Sequence, residues 1–142
     1  FIVTFSIAFY LAKLAKKHGA KMIHFACLLL GAISFLWFPT VQNQYVFFAV
    51  IIGYGIAWAS MMGIPYLMVV AVVPKERYGV YMGIINMMIV IPMIIQNLSF
   101  GYILKNFLDN DPRQAISFAG VLLMLAAICT LLIKIKNTKV SE

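Results

Sequence analysis

Long apolar runs without charge are the feature of this sequence that most limits its fold. They are Met22–Phe38, Tyr45–Val73, Gly79–Leu104 and Ala115–Ile133, and none contains Asp, Glu, Lys or Arg. A helix needs about 20 mainly apolar residues to cross about 30 Å of hydrocarbon. Each run meets that length or nearly does, and residues 1–12 resemble the end of a further span. Because the runs are continuous rather than alternating, membrane helices are favoured over barrel strands.

The composition agrees with this interpretation. Of the 142 residues 64% are apolar and only 11% are charged, whereas a soluble domain has about 25% charged residues. An aromatic content of 14% also excludes a disordered chain. The sequence starts with Phe1, inside an apolar run and without Met. We therefore expect an all-α membrane protein, with residues 1–142 as a C-terminal fragment of about four and a half transmembrane helices.

The basic residues lie in the short connections and the tail, and they predict the orientation. Alternating antiparallel helices place nine of them on one side, with only Lys105 and Arg113 on the other. The nine are Lys13, Lys16, Lys17, Lys21, Lys75, Arg77, Lys134, Lys136 and Lys139. The positive-inside rule then predicts a multi-pass protein of the cell membrane with a cytoplasmic C-terminus. Charge spread over three boundaries favours anionic lipid headgroups as partners and argues against nucleic acid.

Small residues and prolines mark the two longest runs. Gly55, Ala59 and Gly63 recur every four residues, and Gly79 and Gly83 repeat that spacing. Such spacing lets helix backbones approach closely, so these glycines are predicted to serve helix packing or a moving interface.

Two prolines lie inside these runs. Pro65 and Pro92 each predict a kink, because proline removes a helical hydrogen bond. They are therefore candidate hinge positions together with the glycines.

Three amides lie within the Gly79–Leu104 run and are costly in hydrocarbon. At about 100° per residue, Asn86, Met93 and Asn97 fall on one stripe, with Gln96 beside it. The amides serve either hydrogen bonds between helices or the lining of a solute pathway. The second interpretation is favoured, because Pro92 frees backbone carbonyls in the same region.

Aromatic side chains in the preceding run form a second set of candidates. Tyr54 and Trp58 are four residues apart and share a helix face, and Tyr66 follows Pro65. Rings with a polar group and an apolar body suit a polyhydroxylated ligand, although they also fill space between helices. Both interpretations stay open.

Motifs for catalysis or metal binding are not found in the sequence, so we expect no enzyme, catalytic residue, metal or cofactor. Cys27 and Cys129 lie in apolar stretches and are predicted to pack as small apolar residues. His18 and His24 lie in or just after the lysine-rich connection, where we expect them to face water or lipid headgroups.

Two segments resemble the major facilitator superfamily. Ala12–Lys21 resembles a degenerate copy of its loop motif G-x-L-a-D-R-x-G-R-K, with Lys16 in place of the Asp. The more specific segment is Gly55–Pro92. It resembles the tenth and eleventh helices of the maltose- and sucrose-type sugar:cation symporters, which are related to the glycoside-pentoside-hexuronide transporters.

The resemblance implies a twelve-helix bundle of which this chain is helices eight (in part) to twelve. It implies uptake of a di- or oligosaccharide coupled to protons by alternating access, with a lipid bilayer and the missing N-terminal half as partners. Tyr54, Trp58, Asn86 and Asn97 then become solute contacts. Glu76, Asp109, Asp111 and Glu142 all lie outside the spans, so we expect the coupling acid elsewhere. A permease or efflux protein for another solute and a non-transporting membrane module are the alternatives.

Overall fold

A computed structural model describes residues 2–133. Its helices are α1 (Ile2–His18), α2 (Ala20–Trp37), α3 (Gln44–Val70), α4 (Tyr78–Phe107) and α5 (Pro112–Leu132). Short 3-10 turns, Phe38–Thr40 and Lys75–Arg77, precede α3 and α4. Residues 2–133 contain no strand, which confirms the all-α prediction. The predicted basic residues Lys134, Lys136 and Lys139 lie outside the described residues, as do Phe1 and Glu142.

Within residues 2–133, four segments are long and apolar enough to cross a membrane. They are Ala20–Thr40, Gln44–Val70, Lys75–Phe107 and Pro112–Leu132. Each contains most or all of one predicted span, because an uninterrupted apolar run satisfies its backbone groups best as one helix.

Local chemistry explains where the helices begin. Asn43 precedes α3, and its side-chain oxygen accepts a hydrogen bond of 2.8 Å from the backbone N–H of Tyr45. Asp111 precedes α5 and accepts a bond of 2.8 Å from the N–H of Arg113. Both side chains satisfy N–H groups that a helix start leaves free. Pro112 occupies the first position of α5, where a missing N–H costs nothing.

The connection predicted over Lys13–Lys21 is almost entirely helical, and this is a correction to the sequence-based boundaries. α1 continues to His18, and Gly19 alone separates it from α2. Lys, Ala and Leu are good helix formers, and basic residues in the last turn of α1 complement the helix dipole. The chain turns at Gly19, which has a φ of +92°. Glycine adopts this conformation readily, whereas residues with a side chain disfavour it.

The core lies between α2 and its neighbours. α2 packs mainly against α3 and α5, while α1 packs against α3 and α2. Glycines allow the closest approaches: Gly31 of α2 faces Ala57 of α3, and Gly53 of α3 faces Ser34 of α2. An added Cβ at Gly31 would lie 2.5 Å from the Cβ of Ala57, and one at Gly53 would overlap the Ser34 side chain.

The helix α5 approaches α2 in the same way. An added Cβ at Gly120 would lie 3.0 Å from Cγ of Leu36 and 3.1 Å from its backbone nitrogen. The sequence reasoning singled out none of these three close-approach glycines.

Helix α4 differs from the other four. It contacts α3 and buries none of its residues within the described part of the chain. An added Cβ at Gly63, Gly79 or Gly83 would meet no atom within 4 Å. The structure therefore puts no helix against these three predicted packing glycines, and their role stays a prediction.

Gly55 lies inside the packed part of the structure. It is buried, and its carbonyl accepts a hydrogen bond of 3.3 Å from the Thr4 hydroxyl of α1. Both predicted hinge prolines, Pro65 and Pro92, lie inside continuous helices, in α3 and α4 respectively.

Candidate functional site

A hydrogen bond between two polar candidates joins α3 to α4. The hydroxyl of Tyr66 donates to the side-chain oxygen of Asn86 over 2.5 Å. Tyr66 directly follows Pro65, which has no N–H for the carbonyl of Met61 one turn earlier. Besides this bond, the Tyr78 hydroxyl at the start of α4 donates to the carbonyl of Val70 over 3.2 Å. The Tyr66–Asn86 bond thus links α3 and α4 in addition to the chain segment that connects the two helices.

The aromatic candidates contact each other between α2 and α3. The ring of Tyr54 stacks on Phe35 of α2, with centroids 4.9 Å apart and an interplanar angle of 19°. Trp58 lies one turn after Tyr54 on α3. The centroids of these two rings are 5.9 Å apart, and their planes are inclined by 42°. Tyr54 and Trp58 are both half-buried. The stacking engages one face of Tyr54 in helix packing.

The two amides further along α4 are not brought to the other candidates. Gln96 and Asn97 are exposed, and neither makes a side-chain hydrogen bond to another described residue. The structure therefore pairs Tyr66 with Asn86 and Tyr54 with Trp58, and leaves Gln96 and Asn97 alone on α4. Their assignment to a solute pathway stays a prediction.

A polar cluster between α2 and α3 was missed by the sequence reasoning. His24 Nδ1 lies 2.7 Å from the hydroxyl of Ser60, whose side chain is fully buried. Cys27, one turn further along α2, is buried in the apolar cluster that also contains Ala59, the sequence neighbour of Ser60. The prediction that His24 faces water or headgroups was wrong in part, because one side of its half-buried ring lies against this serine. The spacing of His24 and Cys27, which puts both on one helix face, was the available signal.

Lys21 connects the start of α2 to the end of α5. Its ammonium group donates to the carbonyls of Leu131 at 2.8 Å and Ile133 at 2.6 Å. These carbonyls belong to the last turn of α5, where a cation is favoured by the helix dipole. The two helix ends therefore lie on the same side of the structure, as the alternating arrangement predicts.

Residues 2–133 hold no group of three or more His, Cys, Asp or Glu placed to bind a metal ion. A shallow hollow between the ends of α4 and α5 has only apolar side chains around it. They are Ile103, Phe107, Leu108 and Phe118. This hollow lacks the hydrogen-bonding groups that a polar solute requires.

Residues 1–142 match the sequence profile of the Major Facilitator Superfamily. The chain belongs to this superfamily. Comparison with curated proteins and with solved structures gave no match. Members of the Major Facilitator Superfamily are transporters rather than enzymes, so this chain is part of a multi-pass membrane transporter. The match is to the superfamily as a whole, and the sugar:cation branch stays a prediction.

Proposed function

We propose that this major facilitator chain is the C-terminal part of a transporter that takes up a di- or oligosaccharide together with protons. The observation that carries the proposal is the hydrogen bond between Tyr66 and Asn86. It joins α3 and α4, the helices that correspond to the cavity-lining tenth and eleventh helices in the resemblance. A hydroxyl and an amide at that position offer donors and acceptors to a sugar hydroxyl.

The exposure of Asn86 supports a role beyond joining helices. The amide is exposed, and its oxygen accepts the Tyr66 hydroxyl while its nitrogen has no hydrogen-bond partner among the described residues. An unpaired amide donor is costly in hydrocarbon. A solute oxygen in a water-filled pathway would satisfy it.

The aromatic pair completes the proposed pathway. Trp58 offers a ring face for the apolar face of a sugar, while Tyr54 is stacked on Phe35. Gln96 and Asn97 would extend the polar stripe along α4. The candidate hinge positions for alternating access are Gly55, Gly63, Pro65, Gly79, Gly83 and Pro92.

The same proposal includes the orientation of the chain. The link from Lys21 to the end of α5 supports a common side for these two helix ends. Lys13, Lys16 and Lys17 are exposed near that side, at the end of α1. We assign it to the cytoplasmic face of the cell membrane, where basic side chains meet anionic headgroups.

The test is uptake of radiolabelled maltose and sucrose into vesicles that contain the full-length protein, with and without a proton gradient. Tyr66→Phe removes one hydroxyl and Asn86→Ala removes the amide. Loss of one hydrogen bond to the solute weakens apparent affinity roughly 2- to 10-fold. Trp58→Ala removes the ring face and is expected to weaken it at least as much. Tyr102→Phe is the matched control, because Tyr102 is exposed on α4 and its hydroxyl has no described partner.

Each result has a definite meaning. Gradient-dependent uptake that Asn86→Ala and Tyr66→Phe weaken, while Tyr102→Phe leaves it unchanged, supports the proposal. Normal uptake in all variants would mean that Tyr66 and Asn86 serve helix packing and not solute binding. If the wild type takes up neither sugar, the solute belongs to another class or the chain serves a non-transporting membrane module.

A further inference from the structure

The pair of His24 and Ser60, with Cys27 nearby on α2, has no part in the solute pathway described above. It lies between α2 and α3 and includes a fully buried serine. The nearby apolar cluster contains Leu11 of α1 and Ala59 of α3. Buried polar groups in such surroundings are hydrogen-bonded. The side chains of His24 and Ser60 therefore act as one unit.

His24 is half-exposed although its partner Ser60 is not. The ring is thus accessible from outside while Nδ1 is held 2.7 Å from the serine hydroxyl. Histidine is the side chain whose ordinary titration falls between about pH 5 and 8. Accessibility and a fixed hydrogen bond are what a reversible proton site needs.

The described helices around His24 contain no carboxylate to neutralise a charged ring. Neither Asp nor Glu occurs on α2 itself or on α1, α3 and α5, the helices packed against it. The titratable side chains of α1 are all exposed, and they are Tyr10, Lys13, Lys16, Lys17 and His18. Those of α3 are Tyr45, Tyr54 and Tyr66, those of α5 are Arg113 and Cys129, and the others of α2 are Lys21 and Cys27.

One of these neighbours is already engaged. Lys21, one turn before His24, donates to the carbonyls at the end of α5. Cys27 is buried in the neighbouring apolar cluster. A protonated His24 ring is therefore stabilised by hydrogen bonding rather than by an ion pair.

We propose that His24 is a proton-binding site at the interface of α2 and α3, and that protonation reverses its hydrogen bond with Ser60. In the neutral ring, Nδ1 accepts the serine O–H. When the ring takes a proton from water, its Nδ1–H donates to the serine oxygen. The serine O–H then turns to the carbonyl of Ile56, one turn earlier on α3.

The reversal changes the contact between the two helices. The added proton puts a positive charge beside a buried serine, and no carboxylate on these helices pairs with it. The same interface contains the stack of Phe35 and Tyr54, one turn before Trp58. Proton binding at His24 is thereby linked to the position of α3. This link to solute uptake rests on the function proposed above, whereas the proton site itself does not.

The first experiment measures the site directly and without a solute. The full-length protein with isotope-labelled histidine is placed in lipid nanodiscs, and its ring signals are followed by NMR from pH 5 to pH 8. The His24 signal is the one missing in His24→Gln. We expect it to titrate reversibly and its midpoint to move in Ser60→Ala but not in His18→Gln. A His24 ring that keeps one state throughout, or a midpoint unmoved in Ser60→Ala, would overturn the proposal.

The second experiment tests the link to transport. His24→Gln keeps an amide that can bond to Ser60 but cannot titrate, and His18→Gln is its matched control on the exposed end of α1. Uptake at pH 5.5 and pH 7.5 is compared with that of the wild type. We expect the ratio of the two rates to fall to near one in His24→Gln and to be unchanged in His18→Gln. An unchanged ratio in His24→Gln overturns the link, and a wild type that takes up no sugar overturns the proposed function while the NMR result still decides the site.

Discussion

The approach of α2 to α3 at Gly31 predicts a measurable loss of stability in Gly31→Ala. The ideal Cβ at position 31 would lie 2.5 Å from the Cβ of Ala57, whereas ordinary contact begins at 3.4 Å. Both groups are backbone-attached carbons that cannot turn away. The two helices must therefore separate by about 1 Å, and close-packed interiors resist such a shift.

The size of the effect follows from two opposing contributions. Overpacking a close contact costs about 1–3 kcal/mol. Replacing glycine by alanine inside a helix recovers roughly 0.5–1 kcal/mol. Among the described residues, Gly63→Ala has the second contribution alone, because its Cβ would meet none of their atoms within 4 Å. The two variants should thus differ by about 1–3 kcal/mol in the free energy of unfolding.

Unfolding of the full-length protein in mixed detergent, followed by tryptophan fluorescence, measures this difference. Gly31→Ala is expected to unfold at lower denaturant and Gly63→Ala at the wild-type value or above it. Equal unfolding of the two variants would refute the close approach of α2 and α3 at this point.

Further predictions concern the helix ends and the orientation. Lys21→Met removes the cation at the end of α5 and should lower the free energy of unfolding by about 0.3–1 kcal/mol. Lys13→Met should not lower it, because Lys13 is exposed, has no described hydrogen bond and lies before the last turn of α1. Equal losses would contradict the role of Lys21. In a cysteine-free protein, Gln42→Cys and Lys75→Cys should lie on opposite sides of the membrane. An impermeant maleimide added to intact cells is expected to label Gln42→Cys only, and labelling of Lys75→Cys alone would reverse the orientation.

The helices could be predicted from the sequence because each is a long apolar run, a property that needs no knowledge of neighbours. Their close contacts could not. Gly31 and Gly53 are buried against neighbouring helices, whereas Gly79 and Gly83, with the better small-residue spacing, face open space in the described structure. Spacing shows that a backbone can be approached, but only the packing of other helices decides whether it is.

The candidate site could likewise be predicted from the sequence only in part. The amides and aromatics were visible as polar or ring-bearing residues at membrane depth, and the pairing of Tyr66 with Asn86 required the structure. His24 was misjudged because its position beside a lysine-rich segment suggests exposure. Its burial depends on Ser60, which is 36 residues away in sequence. Long-range partners of this kind leave no local pattern.

The single glycine between α1 and α2 limits how these helices can move. Gly19 is the whole connection, so there is no spare chain that would let one helix slide along the other. Relative motion of the two helices is restricted to rotation about the backbone bonds of Gly19. Its φ of +92° is a conformation that only glycine adopts readily. A displacement of the end of α1 must therefore move the start of α2 as well, where Lys21 is hydrogen-bonded to the end of α5.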